Sequence, residues 1–436
     1  MNKQSEFSSA HVVSGHTPLR KKSAILLAAT IGLACFSQSV LAKDLTVWAW
    51  DPNFNVAIMN EAAQKYEATH KDVHVKVVDF AKADIEQKLH TMLASGVTKA
   101  LPDIVLIEDY NAQKYLQSYP GSFASLSGRV DFSNFAPYKV SVMTVGDKVY
   151  GLPFDTGVTG FYYRTDLLKQ AGFDAKDLQN ITWDRYIEIG KQVKAKTGVD
   201  MLGNDPSDLG LLRTMIQGAG SWYFNEDGSL NIKNNKALAE GIRIVRELYR
   251  ENIARPTVGW SEWVGAVNSG TVASITTGVW ITASVKAGQG QDGKWAVAPT
   301  PRLNVEGGVN SSNLGGSSWY VLSASPEKDA AIDFLNATFG SDKEFYNEIL
   351  KKQGAVGSFL PAANTEAYQY ADSYFNGQKI YSDFSRWAAE IPSVNYGMYT
   401  YEVDAAIAAQ MPSILQGAPI DKMLESVEEQ LKYQIQ

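Results

Sequence analysis

Three strand-like segments separated by two helix-like segments constrain the fold of this chain more than any other feature. Residues 44–50 and 73–80 are predicted to be strands, and 104–107 is a continuous apolar run. Such a run is typical of a strand buried on both faces of a parallel sheet. The intervening segments have apolar residues at helical spacing, most clearly over 84–95. This β-α-β-α-β order predicts an α/β layer architecture.

A second α/β region begins near residue 156, and no Pro-, Gly- or Ser-rich linker precedes it. Because no linker joins the two regions, we expect the chain to cross between them more than once. Thr182 is the predicted N-cap of a helix over 183–196. The other predicted strands are 273–276, 295–298 and 318–322, and the other predicted helices are 236–251, 326–338, 342–352, 401–415 and 420–434.

The first 42 residues have the order of an export signal. A basic cluster at 20–22 precedes an apolar run at 24–36, and a polar stretch then ends at Ala42. Basic, apolar and small residues in this order are typical of a secretory signal, and the apolar run is too short to span a bilayer comfortably. Cys35 lacks the preceding residues of a lipid-attachment motif. We therefore expect cleavage after Ala42 and a periplasmic protein, in preference to a lipid anchor at Cys35.

Composition argues against several classes of protein. Removing the signal takes the formal net charge from −7 to −10, because that segment carries four basic residues and one acidic residue. An acidic chain is poorly suited to bind nucleic acid. The single cysteine lies in the signal. Of the later histidines, His70, His74 and His90, the first two are four residues apart but flank a predicted helix-to-strand boundary, so they would not share a helix face. The sequence also has no Walker loop and no G-x-G-x-x-G motif, so we expect no metal, no cofactor and no catalytic residue.

The segment 149–172 carries the most informative motif. It contains Val-Tyr-Gly-Leu-Pro-Phe-Asp, then two glycines, an aromatic strand, and a helix that ends at Ala-Gly. This pattern resembles the extracellular solute-binding proteins of carbohydrate ABC importers, the family that contains maltose-binding protein. Further landmarks of that family occur in the expected order, namely Leu101-Pro102-Asp103-Ile104, Thr182-Trp183-Asp184, Gly278-Val279-Trp280, Gly315-Gly316 and Gly417-Ala418-Pro419-Ile420.

The resemblance implies a bilobal α/β clamshell, in which two mostly parallel sheets flanked by helices close on a ligand. We expect a signal at 1–42, a first lobe from 43–155 and 306–360, and a second lobe from 156–305 and 361–436. The resemblance also implies a sugar ligand, a membrane permease and its ATPase as partners, and no enzymatic activity. We expect the protein to be a monomer, and its many Trp residues favour a di- or oligosaccharide.

Sugars have C–H faces that pack on aromatic rings and hydroxyls that need directional hydrogen bonds. Candidate groups of both kinds follow the ends of predicted strands, where ligands bind on open α/β sheets. Trp50 ends the first predicted strand and Asp51 enters the loop after it, and Glu108 and Asp109 follow the third. Asp155 opens the segment that joins the lobes. The alternatives are a core position for Trp50, helix caps for the first three acidic residues, and a hinge role for Asp155.

The resemblance adds Trp280, which matches a family position whose aromatic ring stacks on sugar. Trp222 follows a Gly-Ala-Gly turn, Gly316 and Ser317 lie where the backbone can approach a ligand, and Tyr399 lies near the last crossing. We include these residues as candidate ligand contacts. The spacing of Trp260 and Trp263, three residues apart beside a predicted helix, instead favours core positions.

Two other functions remain open at this stage. A glycoside hydrolase also needs paired carboxylates near aromatic rings, but carboxylate pairs are inevitable with 47 acidic residues and discriminate little. The same fold with a polyamine or another non-sugar solute would also use acidic and aromatic groups. The order of the family landmarks over the whole chain favours sugar binding.

Overall fold

A computed structural model describes residues 42–435. The predicted export signal through residue 41, including Cys35, lies outside the described residues. The predicted strands are confirmed to within two residues at either end. The strands are β1 (Lys43–Ala49), β2 (Val73–Asp79), β3 (Ile104–Glu108), β4 (Thr144–Val145), β5 (Lys148–Val149), β6 (Gly151–Pro153), β7 (Thr159–Arg164), β8 (Asp200–Asn204), β9 (Ala254–Pro256), β10 (Val272–Gly278), β11 (Trp295–Pro299) and β12 (Ser317–Val321).

The strands form two five-stranded sheets and one short hairpin. The first sheet has the order β2-β1-β3-β12-β6, the second has the order β11-β7-β10-β8-β9, and β4 pairs with β5. Each large sheet contains two parallel and two antiparallel pairings, where the sequence predicted mostly parallel sheets. In the first sheet the antiparallel pairing arises where the chain returns from the second sheet, because β12 runs in the opposite direction to β3.

Helices flank both sheets. Thr182 caps its helix as predicted, because its side chain accepts a hydrogen bond from the Arg185 backbone N–H. The helices are α1 (Asn55–Thr69), α2 (Lys82–Ser95), α3 (Asp109–Ser118), α4 (Pro137–Val142), α5 (Thr165–Gln170), α6 (Trp183–Thr197), α7 (Gly210–Gly218), α8 (Lys236–Arg250), α9 (Gly259–Asn268), α10 (Thr282–Lys286), α11 (Lys328–Leu335), α12 (Lys343–Gln353), α13 (Ile380–Ala388), α14 (Thr400–Ala408), α15 (Met411–Leu415) and α16 (Ile420–Gln434).

The single helix predicted over 401–415 is wrong, because the segment forms the separate helices α14 and α15. Pro412 lies in the first turn of α15. Proline has no backbone N–H and its ring clashes with the carbonyl four residues earlier, so it is tolerated in a first turn and breaks a helix interior.

The sheets bury apolar side chains on both faces. In the first sheet Val105 and Ile107 pack into one apolar cluster, whereas Ile104 and Leu106 pack into another. All four of these side chains are almost fully buried. This explains the continuous apolar run that the sequence contains at β3, since neither face of the strand meets water.

Two of the segments in which the chain crosses between the sheets lie side by side. The first crossing, residues 154–158, joins β6 to β7, and the second, residues 300–316, joins β11 to β12. Val158 forms an isolated antiparallel bridge with Asn313. A Cβ atom on Gly157 would lie 2.0 Å from the Leu314 carbonyl oxygen, so the two backbones touch where only glycine fits. The multiple crossings predicted from the sequence are confirmed, whereas the exact lobe boundaries stay a prediction.

A fully buried ion pair braces these crossings on the side of the first sheet. Lys139 Nζ donates to Asp109 Oδ2 at 2.5 Å and to the Ser317 carbonyl at 2.7 Å. Ser317 in turn donates its N–H and its hydroxyl to Asp155 Oδ1, each at 2.7 Å. Burial raises the pKa of Asp109 to about 6, against the opposing effect of Lys139. The network therefore ties α3 and α4 to the first crossing and to the start of β12, directly after the second crossing.

Among residues 42–435, no helix is long and apolar enough to cross a membrane. The same part of the chain contains no group of three or more His, Cys, Asp or Glu residues that could hold a metal ion.

We predict that Lys139→Met lowers the free energy of unfolding by about 3–5 kcal/mol at pH 8, because it leaves Asp109 buried and unpaired. The loss is smaller at pH 5. Folding raises the pKa of Asp109 above its unfolded value of 3.8. The protein therefore loses stability as the pH rises from 3.8 through the folded pKa of this group, because Asp109 then becomes charged while buried. Urea denaturation at both pH values measures the effect.

The exposed pair of Lys176 with Asp174 provides the matched control, because their side chains are 80% and 57% exposed. Lys176→Met removes the same charge and should leave the unfolding curve unchanged. Equal losses in the two variants would contradict a special role for the buried pair.

Candidate ligand-binding site

A cavity of about 230 Å³ lies at the carboxyl ends of two neighbouring strands of the second sheet. Strands β8 and β10 are parallel and adjacent, so their carboxyl ends meet at one edge, where open α/β sheets bind ligands. Helix α9 contributes a further wall, and the second crossing contributes Leu314. The lining residues include Asn204, Asp205, Asp208, Trp260, Trp263, Thr276, Thr277, Trp280 and Leu314.

Three indole rings form the apolar wall of this cavity. The ring centroids of Trp260, Trp263 and Trp280 lie 5.7 to 6.3 Å apart. Trp263 Nε1 donates to the Gly203 carbonyl at 3.1 Å, and Trp280 Nε1 donates to the Leu314 carbonyl at 2.9 Å. These hydrogen bonds fix two of the rings, and we call the three rings the indole wall.

The core position predicted for Trp260 is wrong, because its side chain is 54% exposed. It lies in the first turn of α9, a helix whose buried residues are Ala266 and Val267 near the other end. Trp263 is half-buried and packs beside Trp280. The three-residue spacing does place both rings on one side of a helix, but that side borders the cavity.

Two carboxylates contribute polar groups to the lining of the same cavity. Asp205 Oδ1 accepts hydrogen bonds from the backbone N–H and the hydroxyl of Ser207, at 2.9 and 2.6 Å. Partial burial acts to raise the pKa of Asp205, but these hydrogen bonds outweigh it and the pKa lies below its usual value. Asp208 Oδ1 accepts from the Gly210 N–H at 2.8 Å. Both side chains are therefore oriented acceptors.

Two threonine hydroxyls in the cavity lining lack partners. Thr276 and Thr277, near the end of β10, are 6% and 1% exposed. Neither hydroxyl has a hydrogen-bond partner within the described part of the chain. A buried polar group without a partner is costly, so these positions favour a polar ligand or water at the cavity.

Of the predicted ligand contacts, Trp280 lines this cavity and the others, among the described residues, do not. Asp109, Asp155, Gly316 and Ser317 belong to the network that braces the crossings. Gly316 has φ 96°, and a Cβ atom there would lie 2.9 Å from Asp109 Oδ2. The side chains of Asp109 and Ser317 thus have internal partners, and their contact with ligand stays a prediction.

Glu108 and Trp222 both form hydrogen bonds with helix α14. Glu108 Oε2 accepts from the Tyr401 hydroxyl at 2.5 Å and also forms an ion pair with Lys82. Trp222 is 1% exposed, and its Nε1 donates to Thr400 Oγ1 at 3.0 Å. Its ring also stacks on Tyr110, with centroids 5.7 Å apart. Trp222 is therefore a core residue in this conformation.

The remaining predicted ligand contacts lie in loops, next to the end of a strand or the start of a helix. Trp50 is half-buried directly after β1, and Asp51 is exposed with a positive φ of 64°. Asp51 Oδ1 accepts from the Asn53 N–H at 3.0 Å. Tyr399 is half-buried and immediately precedes α14. Because β1 and β3 are parallel neighbours, Asp51 and Glu108 follow strand ends at the same edge of the first sheet.

Asp205 and Asp208 were not among the predicted ligand contacts, because β8 was not predicted. That strand is short and has a polar residue at each end, so it lacks a clear apolar pattern. The run Asn-Asp-Pro-Ser-Asp that starts at residue 204 was the available signal, since polar clusters after a strand mark loops that bind ligands.

The chain belongs to the bacterial extracellular solute-binding protein family, whose model matches residues 61–409. It is similar to a lactose-binding protein of Rhizobium radiobacter, with 56% identity over 417 residues that cover 96% of this chain and 98% of that protein. An arabinooligosaccharide-binding protein of Bacillus subtilis is 26% identical over 78% of this chain and 79% of its own length.

Solved structures support the same fold. The sugar-binding protein MalE of Xanthomonas citri has a TM-score of 0.76 and 15% identity, covering 89% of this chain and 96% of that chain. A protein described as extracellular solute-binding protein family 1 has a TM-score of 0.75 and 19% identity, covering 89% and 98%. The family and the bilobal α/β fold predicted from the sequence are thus confirmed, and the chain is a solute-binding protein.

We predict that Gly278→Ala displaces the Trp280 indole, because a Cβ atom there would lie 2.1 Å from Nε1 of that ring. The hydrogen bond to Leu314 should break, and the free energy of unfolding should fall by about 1–3 kcal/mol. The indole N–H signal of Trp280 in a ¹H–¹⁵N spectrum, assigned with Trp280→Phe, measures the displacement.

Gly265→Ala is the control, because a Cβ atom at that position in α9 meets no atom within 4 Å. It should leave the Trp280 signal in place. An unshifted Trp280 signal in Gly278→Ala would mean that this ring does not occupy the position described.

Proposed function

We propose that this protein binds a sugar of two or more rings between its lobes and delivers it to the permease of an ABC importer, with lactose as the first candidate. The observation that carries the proposal is the cavity at the ends of β8 and β10, which joins the indole wall to oriented carboxylates. The lactose-binding protein that is 56% identical to this chain supports the choice of disaccharide.

The chemistry of the cavity suits a sugar ring. A pyranose has apolar C–H groups on its faces, which pack on aromatic rings, and hydroxyls around its edge. Asp205 and Asp208 are acceptors for such hydroxyls, and the hydroxyls of Thr276 and Thr277 both donate and accept. Each hydrogen bond to a carboxylate contributes about 1.5–3 kcal/mol when water is excluded.

The size of the cavity supports a ligand that extends beyond it. Its volume of about 230 Å³ lies below the range of about 300–1,000 Å³ for pockets that enclose a drug-sized ligand. One ring fills it, and a second ring then extends toward the first sheet. There Trp50, Asp51 and Glu108 follow the ends of β1 and β3, and we propose that they contact the second ring.

Closure of the lobes would complete the site. Hinged closure around a ligand is the general behaviour of periplasmic binding proteins, and the paired crossings at 154–158 and 300–316 are the segments that would bend. We further propose a periplasmic monomer, released from its signal after Ala42, that holds sugar without hydrolysing it. Its partners would be a permease and a cytoplasmic ATPase.

We predict that lactose binds with a measurable heat in calorimetry and raises the stability of the protein. At a lactose concentration 100 times Kd, the gain is about 2.7 kcal/mol. Trp280→Ala and Trp260→Ala should each raise Kd about tenfold or more, because they remove an aromatic contact. Asp51→Ala should raise Kd by a smaller factor, because that carboxylate is exposed.

Tyr433→Ala is the matched control, since Tyr433 lies in α16 and is 87% exposed. It should bind lactose like the wild type. If lactose binds but neither Trp280→Ala nor Asp51→Ala changes Kd, the site is misplaced. If a polyamine binds more tightly than every sugar tested, or if the protein cleaves lactose or an aryl glycoside at enzymatic rates, the proposed function fails.

A further inference from the structure

The cavity at the ends of β8 and β10 has an unbalanced charge. Its charged lining residues are Asp205 and Asp208, and no Lys or Arg lines it within residues 42–435. Neither carboxylate forms an ion pair in that part of the chain. The contrast with Asp109 is sharp, because that buried carboxylate is matched by Lys139.

The buried cation of α7, Arg213, does not offset this imbalance, because it has its own acidic partner. Arg213 is 8% exposed, and its guanidinium forms an ion pair with Asp404. It also lies over the rings of Tyr110 and Tyr401, at 4.8 and 5.6 Å from their centroids. Asp208 acts on Asp404 as a neighbouring negative charge, so the excess charge of this region is negative.

The indole wall acts in the same direction. The face of an aromatic ring carries negative quadrupole density, which attracts cations and repels anions. Trp260, Trp263 and Trp280 border the cavity that the two carboxylates also line. A ring whose face meets the ligand therefore adds to the repulsion of a negative charge by Asp205 and Asp208, and to their attraction of a positive charge.

The cavity has a second feature that calls for a polar ligand. The hydroxyls of Thr276 and Thr277 are buried and have no partner in the described chain. They favour a polar ligand of either charge, because a hydroxyl both donates and accepts, so the sign of the charge is set by the carboxylates.

We propose that this site selects saccharides by charge, accepting neutral sugars and amino sugars and rejecting acidic ones such as uronates and sugar phosphates. The inference rests on the proposed function and adds a class of ligand to it. The charge selection comes from Asp205 and Asp208 together with the indole wall, and no Lys or Arg among the described residues that line the cavity offsets it.

The test uses three disaccharides that differ only at C6 of the galactose unit of lactose, which is a CH2OH group in lactose, a CH2NH3+ group in the amine and a carboxylate in the acid. Calorimetry at pH 7 and low salt gives Kd for each. We expect the carboxylate to bind at least about tenfold more weakly than lactose, and the amine to bind at least as tightly as lactose. Both differences should shrink at high salt, since ions screen charges.

The double variant Asp205→Asn/Asp208→Asn identifies the source of the selection. Asparagine keeps an acceptor oxygen for the hydrogen bonds from Ser207 and Gly210 while removing the charge. The penalty for the carboxylate should fall to less than about threefold in this variant. Asp421→Asn, on the exposed first turn of α16, changes the net charge without touching the cavity and should leave the penalty intact.

The outcomes separate the two proposals. If neither lactose nor another neutral sugar binds, the proposed function fails. If lactose binds and the carboxylate analogue binds within threefold of it, the charge selection is overturned. The same conclusion follows if the double variant keeps the full penalty or if the amine binds more weakly than lactose.

Discussion

The direct packing of the two crossing segments holds the two sheets and the candidate site in one arrangement. Leu314 donates its N–H to the Gly157 carbonyl at 2.8 Å, and its own carbonyl accepts from Trp280 Nε1 at 2.9 Å. A side chain at residue 157 would separate the segments. A ring of the indole wall is thus bonded to the second crossing, the segment that we propose bends when the lobes close.

The protein uses carboxylates in two contrasting ways on either side of these crossings. Beside the first sheet, Asp109 is buried with Lys139, because an unpaired charge there would oppose folding. At the ends of β8 and β10, Asp205 and Asp208 keep contact with water and are held by backbone N–H groups. The first arrangement stabilises the frame, and the second leaves charge available to a ligand.

Part of the candidate site could be predicted from the sequence, and the rest could not, for identifiable reasons. Trp280 was found through a motif that ends a recognisable strand. Asp205 and Asp208 were missed because β8 is too short and polar to give a pattern. Asp109 was a reasonable candidate from its position after β3. Its pairing with Lys139, thirty residues further along the chain, depends on packing that no local pattern encodes.

The sequence by itself determined the α/β class, the order of most strands and helices, the repeated crossing and the family, because apolar periodicity and motif order are local properties. The tertiary structure decided which polar groups face a cavity and which are consumed by internal partners. It also decided the direction of β12 and the exposure of Trp260. These outcomes depend on contacts between segments far apart in the chain, and the side-chain pattern of a single segment cannot specify them.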